Sequence, residues 1–278
     1  MKKYVFLAVM LMCLPLFFML GAKKEAKPAK PVLIIGAECE YPPNNWEEII
    51  SSDYTLPVSN HAGYYADGYD IQIVKLIAER MNYDVRIKRI AWNDLLPSLN
   101  RGEIDAIFSS MLDTNDRRKV AAFSEPYEIT VTEYGIITRR ETPFSAGKTL
   151  KHFSGAKIIG ERGTKFDDVI EQIPGVVHMK PVDTIKEMID AVISGEAHGA
   201  VIDIEAGQYY ELVNKPLKLV KFSGDDGFNL GFHGVCAAVR KGDSELLHRI
   251  NLAIAGIDKH ERQRIMDGVN SRMLNGRH

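Results

Sequence analysis

Cysteine is scarce in this chain, three in 278 residues, and the eight histidines do not sit at spacings that would bring them together with the cysteines as metal ligands. A zinc or other metal centre is therefore not expected. No glycine-rich phosphate loop is present, which removes the usual nucleotide-binding signature. Charge of one sign is lacking too: 35 Lys and Arg stand against 37 Asp and Glu, for a net −2, and the basic residues form no stripe. A nucleic-acid partner is excluded on that ground. Nor do Ser, Cys or His residues form a nucleophile, base and orienter set, so no catalytic residue is assigned.

What is present is a chain long enough for one or two domains, with 45% hydrophobic residues to build a core. Lys2 and Lys3 precede an apolar run over residues 4–20, and the small residues Gly21 and Ala22 follow it. This is an export signal at residues 1–22, leading into a Lys/Ala/Pro linker at 23–31. Leu20 is bulky for a cleavage site, so retention of the run as a membrane anchor is the alternative. Cys13 interrupts the run and does not follow it, which argues against lipidation there. Beyond the signal, Cys39 and Cys236 would permit one disulfide.

Periodicity gives an α/β reading. Residues 32–37 (VLIIGA) form a first strand, and the Ser/Asn/Asp/Tyr-rich stretch after it is expected to be a long loop. Residues 69–82 place Ile73, Leu76, Ile77, Arg80 and Met81 at helical spacing, with Asp70 as the expected cap. Residues 85–90 alternate as a half-buried strand, a helix over 93–101 stops at Gly102, and 104–108 is a short buried strand. This rhythm means βαβ units. A second series follows, with strands at 130–138, 157–160 and 200–202, a donor-rich turn at 163–166, a helix from about Asp167 and another over 184–194. Asp203 stands just past a strand, where helix capping and ligand contact suit a carboxylate equally. A strand at 232–240, a helix at 244–256 and a C-terminal helix complete the chain.

Between Gly68 and Tyr127 the motifs G-Y-D, A-W-N-D-L-L-P-S-L, G-E-I-D-A-I-F-S-S, D-T-N-D-R-R and F-S-E-P-Y occur in one order. That order resembles the amino-acid-binding members of the bacterial extracellular solute-binding proteins, family 3, and the likeness extends over about residues 32–273. It implies a two-lobed periplasmic-binding-protein fold of class II, each lobe a mostly parallel sheet flanked by helices. Lobe 1 would comprise 32–128 and 232–278, lobe 2 would comprise 129–231, and two hinge crossings would join them. It further implies a periplasmic monomer that binds a free L-amino acid, needs no cofactor, and delivers the ligand to the membrane permease of an ABC importer.

The resemblance assigns the site residue by residue. Arg117, with Ser109 and Ser110, takes the ligand carboxylate, and Asp203 takes its ammonium. Tyr41 and Trp92 are walls, while Trp46, Tyr64, Tyr65 and Phe166 are weaker aromatic candidates. On the residues alone, Arg117 pairing with Asp113 or Asp116 on a solvated turn is the better reading, and the resemblance reverses that ranking. Leu112 stands where many relatives have Ser or Thr, and loss of that hydroxyl costs on the order of 1 kcal/mol if nothing replaces it. Thr164 and Lys165 belong to the donor-rich turn, and Lys165 replaces a small polar residue. A cation there disfavours cationic ligands, so a neutral polar or acidic amino acid such as glutamine is expected. In this layout Cys39 and Cys236 fall on separate strands and two buried free thiols are expected. The rival readings are a cyclohexadienyl or arogenate dehydratase on the same fold, for which Glu38, Glu40 and His233 are the available acids and bases, and a ligand-sensing subunit. With the last helix of the resemblance ending close to His278, a further kinase or hydrolase domain is not expected.

Overall fold

The computed structural model describes residues 29–128, 133–231 and 234–275, so the expected export signal and both expected lobe crossings lie outside the described residues. Along the chain run β1 (Val32–Ala37), β2 (Glu40–Tyr41), β3 (Asn45–Glu48), β4 (Leu56–Pro57), β5 (Tyr65–Asp67), α1 (Tyr69–Met81), β6 (Asp84–Arg89), α2 (Trp92–Asn100), β7 (Ala106–Ile107), α3 (Asn115–Arg118) and β8 (Ala122–Glu128). They are followed by β9 (Tyr134–Arg139), β10 (Lys157–Ile159), α4 (Lys165–Asp168), β11 (Val177–His178), α5 (Ile185–Ser194), β12 (Gly199–Asp203), α6 (Ile204–Val213) and β13 (Leu217–Val220). The last elements are β14 (Val235–Val239), α7 (Ser244–Ala255) and α8 (Lys259–Asn275).

The first sheet has the order β6-β1-β7-β14-β8. β1 is parallel to both neighbours, while β14 runs antiparallel to β7 and β8, having returned from the other half of the chain. The alternation in β1 buries Leu33, Ile35 and Ala37, and on this face Ile73 and Ile77 of α1 meet Ile250 and Ile254 of α7. The other face is covered by α2, whose Leu95 and Leu99 pack with Ile104, Ile107 and Met111. Covering both faces is what allows the short parallel strands to be wholly apolar. The second sheet, β11-β10-β12-β9-β13, has its own core, in which Ile158, Ala200, Val201 and Ile202 meet Met188 and Val192 of α5.

Helix α5 starts at a capping box: Glu187 N donates to Thr184 Oγ1 at 3.1 Å and Thr184 N donates to Glu187 Oε2 at 3.1 Å. Thr184→Ala removes one side of it and is expected to lower stability by about 1 kcal/mol, read as a shifted denaturation midpoint at constant slope.

Three expectations change. The stretch after β1 is not a loop: β2, β3, β5 and β4 form a small antiparallel sheet. Its strands are two to four residues long and lie among turn residues, so no alternation is long enough to read. Asp70 is not the cap of α1. That position belongs to Gly68, at φ 127°, where a Cβ would lie 2.2 Å from Asn44 O. Only glycine lets the small sheet approach this closely, and the amides of Tyr69 and Asp70 donate to Pro43 O and Asn44 O. The strand expected at 130–138 begins at Tyr134, residues 130–132 lying outside the described chain, as does His233. Cys39 and Cys236 are both buried and free. Among the described residues no helix is long and apolar enough to cross a membrane.

Candidate functional site

The carboxyl ends of the parallel strands of both sheets converge on one cleft of about 360 Å³, within the range of small-molecule sites. Tyr41, Trp92, Ser109, Ser110, Leu112, Arg117, Thr164, Lys165 and Asp203 all line it, and Phe166 joins them. Trp46, Tyr64 and Tyr65 belong to the small sheet and its turns and do not line the cleft.

Arg117 sits in the short helix α3, which Thr114 caps by accepting from Arg117 N. Neither aspartate of the solvated-turn alternative holds it: Asp113 pairs with Arg118, and Asp116 pairs with Lys119 at 2.6 Å. The guanidinium instead donates to Leu112 O at 2.8 Å and Gly163 O at 3.1 Å and stacks 4.9 Å from the Trp92 ring centroid. No carboxylate stands at ion-pair distance from it among the described residues, and desolvation pushes its pKa down, opposed in part by Tyr134 and by Asp168 farther off. Trp92 Nε1 also donates to Gly163 O, at 3.1 Å, so the first lobe grips the Gly163 turn of the second from two sides.

Asp203 caps a helix and also lines the cleft. Its Oδ1 accepts Ala206 N at 2.9 Å as the cap of α6, and its Oδ2 accepts the hydroxyl of Tyr41, which reaches across from the other lobe. Burial pushes the Asp203 carboxyl up, and these donors oppose the shift. Tyr41 stands edge-on to Phe166, whose centroid lies 6.3 Å away, and Tyr134 continues the aromatic wall 5.0 Å beyond Phe166.

Ser110 sits at φ 49°, a left-handed conformation unusual for serine. Its hydroxyl donates to Asp70 Oδ2 at 3.0 Å and its amide to the Tyr127 hydroxyl at 3.2 Å. Asp70 also accepts from Tyr127 OH at 2.7 Å and from Asn45 Nδ2 at 2.7 Å. Burial raises the Asp70 pKa to about 6, with the donors opposing. Sequence reasoning missed this network. G-Y-D and F-S-E-P-Y both belong to the motif set, yet only the fold brings Asp70 and Tyr127 under Ser110. Ser109 Oγ accepts Glu38 N at 3.0 Å, tying the end of β1 to that of β7. Thr164 spends its hydroxyl on the turn, donating to Glu161 O at 2.7 Å and accepting Phe166 N at 3.1 Å.

Lys165 lines the cleft, but its Nζ lies 3.4 Å from Asp168 Oδ2, which satisfies its charge locally. The other ionisable side chains reverse the expected balance. Glu38, Glu128, Glu133, Glu161, Asp203 and Glu205 face the cleft against Arg117 and Lys165.

A profile of the bacterial extracellular solute-binding proteins, family 3, matches residues 33–268. The chain belongs to that family. This solute-binding protein is 27% identical over 235 residues to the L-arginine-binding protein of Pseudomonas aeruginosa, covering 81% of this chain and 82% of that one. It is 24% identical over 227 residues to the L-cystine-binding protein TcyJ of Escherichia coli K12, covering 82% and 77%. The fold of a solved substrate-binding protein of an amino acid ABC transporter superimposes with a TM-score of 0.72 at 20% identity, covering 86% of this chain and 99% of that one.

Proposed function

We propose that this solute-binding protein works outside the cytoplasm, in the periplasm, as a monomer that captures one free L-amino acid between its lobes and presents it to the permease of an ABC importer. The observation that carries the reading is the pairing of Arg117, a half-buried guanidinium with no carboxylate at ion-pair distance among the described residues, with Asp203 in a single cleft. An amino-acid zwitterion complements both, its carboxylate on the Arg117 fork and its ammonium on Asp203. Tyr41, Trp92 and Phe166 supply flat apolar walls for the methylenes between. The charge balance of the cleft disfavours an acidic side chain and leaves those that bring donors, a carboxamide such as glutamine or a cation.

A thermal-shift screen of the twenty amino acids tests the reading. A ligand at 100 times its dissociation constant adds about 2.7 kcal/mol, several degrees in melting temperature for a protein of this size. At least one amino acid should give that shift. If none does, the protein is not an amino-acid receptor.

A second reading, a dehydratase of cyclic carboxylic acids, rests on Glu38 and Glu161, buried acids in the same cleft that could serve as a proton donor. Turnover of prephenate or arogenate by the purified protein would support it and displace the receptor reading.

A further inference from the structure

Two carboxyl groups meet in the cleft from opposite lobes. Glu38 follows β1 and Glu161 follows β10, they are 4% and 1% exposed, they line the same cleft, and their carboxyl groups come within reach of each other. One oxygen of each, Glu38 Oε1 and Glu161 Oε1, is buried and accepts from no N–H or O–H donor among the described residues. Two carboxylates this close, shielded from water, cannot both be ionised at little cost, so the pair holds a proton between them. Burial raises both acids, Glu38 to about 7 and Glu161 further, and mutual repulsion adds to the rise of Glu161.

The neighbouring groups do not relieve the pair. Arg89 of β6 attracts Glu38, but its guanidinium is already committed to Glu40 and to Glu47, the latter at 2.9 Å. Asp183, before α5, repels Glu161 and is itself held by Arg162 at 2.6 Å. From α6 the charge neighbour is the Tyr210 phenol, and beside Glu38 on its own strand end lies the Cys39 thiol. Lys165 remains with Asp168. The unpartnered oxygens thus have no donor assigned to them by the fold.

Their place relative to the zwitterion site is set by strand order. β1 lies beside β7, whose end carries Ser109 and Ser110, and β10 lies beside β12, which ends in Asp203. One strand spacing is about 4.8 Å, so in both lobes the glutamates stand one strand over from the residues that take the ligand's head group. Both glutamates line the same cleft as the aromatic walls Tyr41, Trp92 and Phe166.

We propose that the Glu38–Glu161 pair is the side-chain subsite for a cationic amino acid, one ending in a guanidinium or an ammonium, and that the ligand enters it by displacing the proton the two carboxyls share. The inference rests on the amino-acid reading above and names the ligand class within it. The exchange balances: a pair of charge −1 releases its proton to solvent, becomes −2, and receives the ligand's +1. A guanidinium brings five N–H donors in a planar fork and an ammonium three, enough to satisfy both orphaned oxygens.

Calorimetry on protein stripped of carried-over ligand by unfolding and refolding tests this directly. L-arginine, L-lysine and L-glutamine are titrated at pH 7 in phosphate and in Tris, buffers of different protonation enthalpy. Arginine or lysine should bind tightest, with an observed heat that differs between the buffers by about one proton released. Because the proton must leave, affinity should rise from pH 6 to pH 8, by up to tenfold per unit for each proton displaced. Glu161→Gln should weaken the cation at least tenfold and remove the buffer dependence. Tightest binding of glutamine with buffer-independent heat overturns the inference and leaves the amino-acid reading standing. Absence of binding by any amino acid overturns both.

Discussion

Arg117→Ala is expected to raise the dissociation constant for the amino acid tens- to thousands-fold while the protein stays folded. On the proposed reading the guanidinium makes a charge-assisted, two-pronged contact with the ligand carboxylate in the closed cleft, and truncating such a partner costs roughly 2–5 kcal/mol. The fold should tolerate the change, because the contacts of Arg117 within the protein are two carbonyl oxygens and one face of Trp92. Those carbonyls lie at the cleft, where water can replace the donor. Titration calorimetry reads the affinity and a melting curve without ligand reads the fold. Unchanged affinity in a folded variant would remove Arg117 from the site.

The second large effect falls on Asp203, where two variants separate its two roles. Asp203→Asn keeps an oxygen that can cap α6 but loses the charge opposite the ammonium, at a cost of about 1.5–3 kcal/mol in binding, or roughly ten- to a hundred-and-fifty-fold. Asp203→Ala loses the cap as well, about 1 kcal/mol of stability, and leaves the Tyr41 hydroxyl without its acceptor. The asparagine variant should therefore bind weakly with near-normal stability, and the alanine variant should show both defects. Wild-type stability and wild-type binding in both variants would mean that the carboxylate does neither task.

The βαβ rhythm was legible because apolar runs, helical spacing and Gly102 all mark boundaries that local chemistry enforces. The ligand edge was legible for the same reason: residues just past a strand, such as Ser109, Ser110 and Asp203, must stand at the mouth of an open α/β sheet. What stayed hidden depends on partners far along the chain. Asp70 reads as a helix cap until the fold places it beneath Ser110 and beside Tyr127. Glu161 carries no signal in isolation, since it matters only where the other lobe brings Glu38 against it. Lys165 reads as the deciding charge until Asp168, one helical turn away, takes it up. The small sheet between β1 and α1 was invisible because two-residue strands have no period to detect.

Native mass spectrometry tests the central claim most directly. The refolded protein, mixed with the twenty amino acids at equal concentration, should carry one adduct of a single amino acid's mass, and the Arg117→Ala protein should carry none under the same conditions. A wild-type spectrum without any such adduct, or an adduct equally abundant on the Arg117→Ala protein, would contradict the account.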